Sequence, residues 1–140
     1  MDLKIQKPTV AFVMVSWGSF ILGVGAYLLG LWNSTMELNE KGYYFVLLLF
    51  SLFSAISVQK NVRDNLEGLK VSSMYMMSSR VALVSAVVLF SIGLKNAELL
   101  LSEKGFFAMA FILSLFSVVT IQKNVRDIAT FPVDDSDDLT

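Results

Sequence analysis

The sequence predicts an all-α integral membrane protein: a four-helix bundle made of two tandem helical hairpins in the same orientation. Three observations lead there. Of the 140 residues, 55% are hydrophobic before the eight glycines are counted, and mean hydropathy is +0.65. A soluble domain holds only ~45–50% with glycine included. Charges fall in clusters separated by long uncharged stretches, the primary mark of membrane spans. One unit also recurs 63 residues later without a gap, the signature of an internal repeat.

The first helix lies in residues 8–36, 29 residues without a formal charge and densely apolar from Val10 to Trp32. A cleaved secretory signal is the competing reading, since Lys4 and Lys7 precede an apolar run that reaches Gly23-Val24-Gly25. The run continues through Tyr27, Leu28, Leu29 and Leu31, which favours an uncleaved span. The second and fourth helices fill residues 42–58 and 105–121, each 17 residues long. That is the practical minimum for a crossing, and Lys and Glu side chains can extend it by reaching outward from buried stems. The third fills residues 71–94, interrupted by Arg80 alone. Lipid excludes open strand edges, so these segments are helices.

The repeat organises the chain. Leu38-Asn39-Glu40-Lys41-Gly42-Tyr43-Tyr44 returns as Leu101-Ser102-Glu103-Lys104-Gly105-Phe106-Phe107. Gln59-Lys60-Asn61-Val62-Arg63-Asp64 returns unchanged as Gln122-Lys123-Asn124-Val125-Arg126-Asp127. Across residues 30–64, 17 of 35 positions equal their partners, so the unit is a duplicated hairpin. The divisions expected are a segment 1–9, a first hairpin 10–70, a second hairpin 71–127 and an acidic tail 128–140. Two spans per unit return the chain to its starting side, so the copies are related by an axis along the membrane normal. The side of the N-terminus collects Lys4, Lys7, Lys60, Arg63, Lys70, Arg80, Lys123 and Arg126, against Lys41, Lys95 and Lys104 opposite. The positive-inside rule then places both termini in the cytoplasm.

Leu28-Leu29-Gly30-Leu31-Trp32-Asn33, residues 38–45, residues 101–106 and residues 122–127 carry a resemblance. The chain resembles the YiaA/YiaB family of small bacterial inner-membrane proteins, and within it the YiaA-type members, over nearly everything up to Asp127. The resemblance implies a multi-pass protein of the bacterial inner membrane and transfers no biochemical activity. Lys95 stands where the second copy would match Trp32, and the acidic end Asp134-Asp135-Ser136-Asp137-Asp138 lies outside the family pattern.

In the outer loops, Asn39 and Ser102 are good N-cap residues, and Glu40 and Glu103 suit a first helical turn. Lys41 and Lys104 fit that position less well; pairing with Glu37 or Glu98 and binding to lipid headgroups both stand open. At the inner ends, Lys60, Arg63, Lys123 and Arg126 suit helix C-termini and anionic lipid heads. Asp64 and Asp127 do not. Two readings follow: a solvated basic end on each helix, or reciprocal pairs of Asp64 with Arg126 and Asp127 with Arg63 across the pseudo-twofold. Arg80 is expected either to snorkel to the surface or to meet Trp17, its repeat partner, in a cation–π contact. Ser51, Ser54 and Ser57, recurring as Ser114, Ser117 and Thr120, together with Gly18, Gly23, Gly30, Ala82 and Ala86, suit close helix packing, with a polar pore lining as the other reading of the hydroxyls.

Composition also excludes function classes. There is no cysteine and no histidine, which removes thiolate chemistry, the commonest metal ligand and the commonest general base. No acid lies inside a span, so a proton-coupled exporter lacks its carboxylate, and the charge is too sparse for nucleic-acid binding. No enzyme, metal or cofactor is expected. The expected partners are the bilayer, anionic headgroups and further copies of the chain. The expected role is structural, regulatory or partner-binding, with a passive pore formed by a homo-oligomer as the alternative.

Overall fold

Residues 6–131 are described by the structure, a computed structural model; residues 132–140 of the acidic tail lie beyond them, as does Lys4. Four helices follow in order: α1 Val10–Trp32, α2 Leu38–Leu66, α3 Ser73–Asn96 and α4 Leu101–Ala129. All four are long and apolar enough to cross a membrane. Their starts repeat as the sequence does. The Thr9 hydroxyl accepts from the Phe12 amide at 3.2 Å and the Ser72 hydroxyl from the Tyr75 amide at 3.2 Å, each satisfying one of a helix's orphan donors.

Helix α2 ends in a Schellman turn. Gly68 takes φ +80°, which glycine adopts without a Cβ penalty. The Gly68 amide donates to the Asn65 carbonyl at 3.2 Å and the Leu69 amide to the Asp64 carbonyl at 2.8 Å.

The outer helix starts differ from the expected caps. Helices α2 and α4 begin at Leu38 and Leu101, with Glu37 and Leu100 in the extended cap position. Asn39 and Ser102 therefore occupy the second helical position instead of the N-cap. The physical reason is visible at α4, where the Glu103 carboxylate reaches back to the Leu100 amide at 3.3 Å and holds the start one turn away from itself. The two lysines act on the preceding helices. Lys41 Nζ donates to the Trp32 carbonyl and Lys104 Nζ to the Lys95 carbonyl, each at 3.1 Å, so both tie off last-turn carbonyls that lack a helical donor. The acceptor is backbone, which is why the side chain at that position differs between copies.

Packing runs across the repeats. Helices α2 and α4, parallel copies of one another, form the central pair; α1 lies along α4 and α3 along α2, and α1 touches its own hairpin partner α2 only slightly. The glycines show how tightly. A Cβ at Gly30 would come within 2.7 Å of the Phe106 ring, and one at Gly93 within 2.8 Å of the Tyr43 ring. Each glycine of a first-type helix thus receives the aromatic of the other copy.

The half of the core nearest the α1–α2 and α3–α4 connections is an aromatic knot. Tyr27 is fully buried and donates to the Tyr44 carbonyl at 2.8 Å. It meets Phe107 edge-on at 5.7 Å, and Phe90 stacks on Phe111 at 4.0 Å. The other half of the core is hydroxyl-lined: Ser51, Ser54, Ser114 and Ser117 are at most 1% exposed. Small hydroxyl residues let membrane helices approach closely, and Ser51 and Ser114 return their protons to the Leu47 and Ala110 carbonyls one turn back. Outward faces carry Ile21, Leu22, Leu29, Phe53, Val84 and Phe116, the apolar excess that a soluble fold of this length could not hide.

Gly23 marks a close crossing: a Cβ there would meet Ser114 Oγ at 2.8 Å and the Ser114 amide nitrogen at 3.0 Å. Its repeat partner is Ala86, buried in the α3 face, so α3 leaves room for a methyl that α1 does not. Gly23→Ala is expected to destabilise the folded protein by ~1–3 kcal/mol through overpacking against backbone. Gly25, with nothing within 4 Å of its Cβ position, serves as the contrast, and Gly25→Ala is expected to be neutral or stabilising by up to ~1 kcal/mol. Thermal unfolding of both variants in the same detergent checks the pair.

Candidate functional site at the paired ends of α2 and α4

Beyond Val58 and Ile121 the two central helices continue for about two turns outside the apolar spans, carrying the unchanged hexapeptides. Because α2 and α4 run parallel, Arg63 comes to lie beside its own copy. Two like charges side by side would repel, and the aspartate that follows each arginine resolves the conflict by pairing with the opposite guanidinium. Arg63 Nη1 lies 2.6 Å from Asp127 Oδ1, and Arg126 Nη2 lies 2.7 Å from Asp64 Oδ1. Each aspartate also receives the lysine one turn earlier, Lys60 on Asp64 and Lys123 on Asp127, both at 2.7 Å.

Glu67 joins the cluster from the end of α2. It accepts from Arg63 Nε at 2.8 Å and from Arg126 Nη2 at 2.7 Å. Its repeat partner is Thr130, so this third acid breaks the twofold. Arg63, Asp64 and Asp127 are buried, while the lysine side chains remain about half exposed. The lysines are therefore the members of the cluster that face outward.

These contacts set the protonation of the acids. The Lys60 ammonium and then the Arg126 guanidinium hold the Asp64 carboxyl below its ordinary value. Burial pushes Asp127 up, but Lys123 and Arg63 outweigh it and leave the group lowered. Arg126 and Arg63 lower Glu67 as well. All three are carboxylates at neutral pH.

One turn inward, two asparagines tie the central pair to the outer helices. Asn61 Nδ2 donates to Ser79 Oγ at 3.0 Å and Asn124 Nδ2 donates to Ser16 Oγ at 3.2 Å. Ser79 and Ser16 give their own protons to the Met76 and Phe12 carbonyls. That leaves each hydroxyl as acceptor and fixes the amide orientation. The Oδ1 atoms of Asn61 and Asn124, with Arg63 Nη2, are enclosed without a protein partner among the described residues. Sequence reasoning included these asparagines in the repeated motif but gave them no part. Their unchanged recurrence, with a serine at the same offset in both preceding helices, was the available signal.

Arg80 stands apart from this cluster. It lies on the exposed side of α3, about two turns from the helix start, with no ion pair or hydrogen bond among the described residues. Trp17 packs instead on Phe20 within α1, at 6.3 Å, so the two residues do not meet as a cation–π pair.

No three His, Cys, Asp or Glu side chains are placed to share a metal ion among the described residues. A fold of four apolar helices, stapled at one end by buried ion pairs between copies, defines a multi-pass membrane protein built from a duplicated two-helix unit. The chain belongs to the yiaA/B two-helix domain family, which matches it twice, over residues 12–64 and 75–127. It is 52% identical to the inner membrane protein YiaA of Escherichia coli (strain K12) over 132 residues, covering 94% of this chain and 91% of that protein. It is 41% identical to the uncharacterized membrane protein YubF of Bacillus subtilis (strain 168) over 63 residues, 44% of this chain and 72% of that protein. No solved structure matches.

Removing one partner of a buried pair leaves a stranded charge and costs ~3–5 kcal/mol. Asp127→Ala and Arg63→Ala are each expected to destabilise on that scale, and the double variant by clearly less than their sum; additivity in the cycle would show that the pair is not coupled. The three depressed carboxyls also give a direction with pH. Their stabilisation is present above the ordinary values of 3.8 for Asp and 4.5 for Glu. It is lost as pH falls through the lower folded-state values. Unfolding midpoints are expected to be flat from pH 7 to about 5 and to fall below that, with Glu67→Gln reducing the slope.

Proposed function

We propose that the protein is a non-catalytic multi-pass protein of the bacterial inner membrane, with both termini cytoplasmic and a structural, regulatory or partner-binding role. The observation that supports this most is the shape of the central seam. Its polar side chains run from the charged cluster through Asn61 and Asn124 to Ser51 and Ser114. There Leu47, Leu48, Tyr27, Tyr44, Phe90, Phe107 and Phe111 fill the outer half. A solute crossing the four-helix unit along this seam would have to part a packed aromatic knot.

The location rests on the balance of basic residues between the two faces and on the printed description of the E. coli relative as an inner membrane protein. The absence of histidine and cysteine from the sequence supports a role without catalysis. The outward lysines, Lys60 and Lys123, together with Arg80, suit anionic headgroups at ~1 kcal/mol each.

Two measurements test this reading. Liposomes carrying the purified protein are expected to leak ions and small solutes no faster than empty ones, and saturable, solute-specific flux would replace the reading with an oligomeric pore. Because the chain has no cysteine, single introduced thiols report topology directly. Thr35→Cys is expected to react with an impermeant maleimide on intact spheroplasts and Lys70→Cys only after permeabilisation; the reverse pattern would invert the orientation.

A further inference from the structure

The two outer loops should be equivalent by the repeat, yet their pockets differ in chemistry. Between the end of α3 and the start of α2 lies a cavity of about 780 Å³, bordered by Glu37, Glu40, Glu98, Tyr43, Tyr44 and Asn96. Its counterpart between the end of α1 and the start of α4 is about 280 Å³ and is bordered by Phe106, Phe107, Asn33 and Glu103. Where one pocket has two tyrosines, the other has two phenylalanines. Where one has three carboxylates, the other has Glu103, which already accepts from the Leu100 amide.

The larger pocket is also unsatisfied. Tyr44 is 4% exposed. Its ring is held between Tyr43, edge-on at 5.3 Å, and Phe90, at 6.2 Å. Its hydroxyl is directed at the cavity wall beside Gly93, 3.1 Å from where a Cβ would stand. Tyr27 and Tyr43 each donate to a backbone carbonyl, but the Tyr44 hydroxyl has no hydrogen-bond partner among the described residues. That oxygen is not among the enclosed polar atoms, so it opens to the cavity that Tyr44 lines, and phenylalanine fills the same place in the other copy. The three carboxylates take part in none of the salt bridges among the described residues, all of which lie at the opposite end of the bundle.

We propose that this outer pocket binds an organic ammonium group, carried either by an ethanolamine-type lipid head or by a free small amine. A compact metal ion fits poorly, since no three acids converge on one point among the described residues. A larger cation with several N–H donors can reach separated carboxylates and the Tyr44 oxygen together. The Tyr43 ring, 40% exposed, offers a face to the same charge. The depth is that of an interfacial aromatic girdle, where headgroups lie.

The test uses the full chain purified in detergent. Ethanolamine hydrochloride is titrated by equilibrium dialysis, and retention of phosphatidylethanolamine against phosphatidylglycerol is read by native mass spectrometry. At least one ammonium probe is expected to bind at about one per chain. Glu98→Gln and Tyr44→Phe are each expected to weaken it about fivefold or more, and Phe107→Tyr to leave it unchanged. Glu98→Gln alters an exposed loop position, and Tyr44→Phe installs the residue that the second copy already uses, so both variants are compatible with folding. Retention of phosphatidylethanolamine alone assigns the site to lipid, and binding of ethanolamine alone assigns it to free amines. Binding of neither above phosphatidylglycerol, or binding indifferent to both variants, overturns the proposal.

Discussion

A helix that must pack in parallel against its own copy is the constraint on which the rest of this structure depends. At the charged end of that contact Arg63 meets Asp127 and Arg126 meets Asp64, so each helix faces its copy's version of its own residues and tolerates only side chains compatible with them. Serine qualifies because it is small and can return its proton to its own helix. Asparagine qualifies because it can turn its amide outward to a flanking serine. Arginine alone would not qualify, and it is accompanied by an aspartate on the next position, so that each guanidinium finds the other helix's acid. The unchanged hexapeptide reads as the set of residues that satisfies this condition at the end of the seam, where lipid no longer supplies an apolar alternative.

Departures from symmetry are then the informative positions. Gly23 opposite Ala86 sets α1 closer to α4 than α3 lies to α2. Glu67, matched by Thr130, links both arginines from one side only. Tyr43 and Tyr44, matched by Phe106 and Phe107, give one outer pocket hydroxyls that the other lacks. Each difference sits where the two copies meet different surroundings, and none disturbs the central seam.

How much of this could be read in the chain beforehand follows the same division. The four spans were legible because lipid demands uncharged length, and a span such as 8–36 leaves little choice. The geometry around Arg63, Asp64, Arg126 and Asp127 was legible as one of two readings, because an identical motif in two parallel helices limits the pairings. The caps were placed two residues late, since Asn39 and Ser102 have the right chemistry but Glu103 works one turn back from its own position. The roles of Lys41 and Lys104 were hidden because their acceptors are backbone carbonyls, which sequence does not display. The crossing of the hairpins was hidden too. Tandem units suggest that each hairpin packs on itself, and only the fit of Gly30 to Phe106 and of Gly93 to Tyr43 reveals the exchange.

That exchange has a consequence for biosynthesis. The first helix to leave the ribosome, α1, finds its main neighbour in the last, α4. Some 100 residues of translation separate their completion, on the order of ten seconds at ordinary rates of synthesis. During that interval α1 stands in the bilayer as an independently inserted span, its Gly23 notch without the α4 backbone that fills it. The α2 helix likewise carries Arg63 and Asp64 without their mates. The α2–α3 contact can form earlier, but the chain closes in one late event, when α4 arrives and completes the α1 contact and both ion pairs together. A truncation before that point leaves an inserted but unassembled hairpin, a natural substrate for membrane quality control.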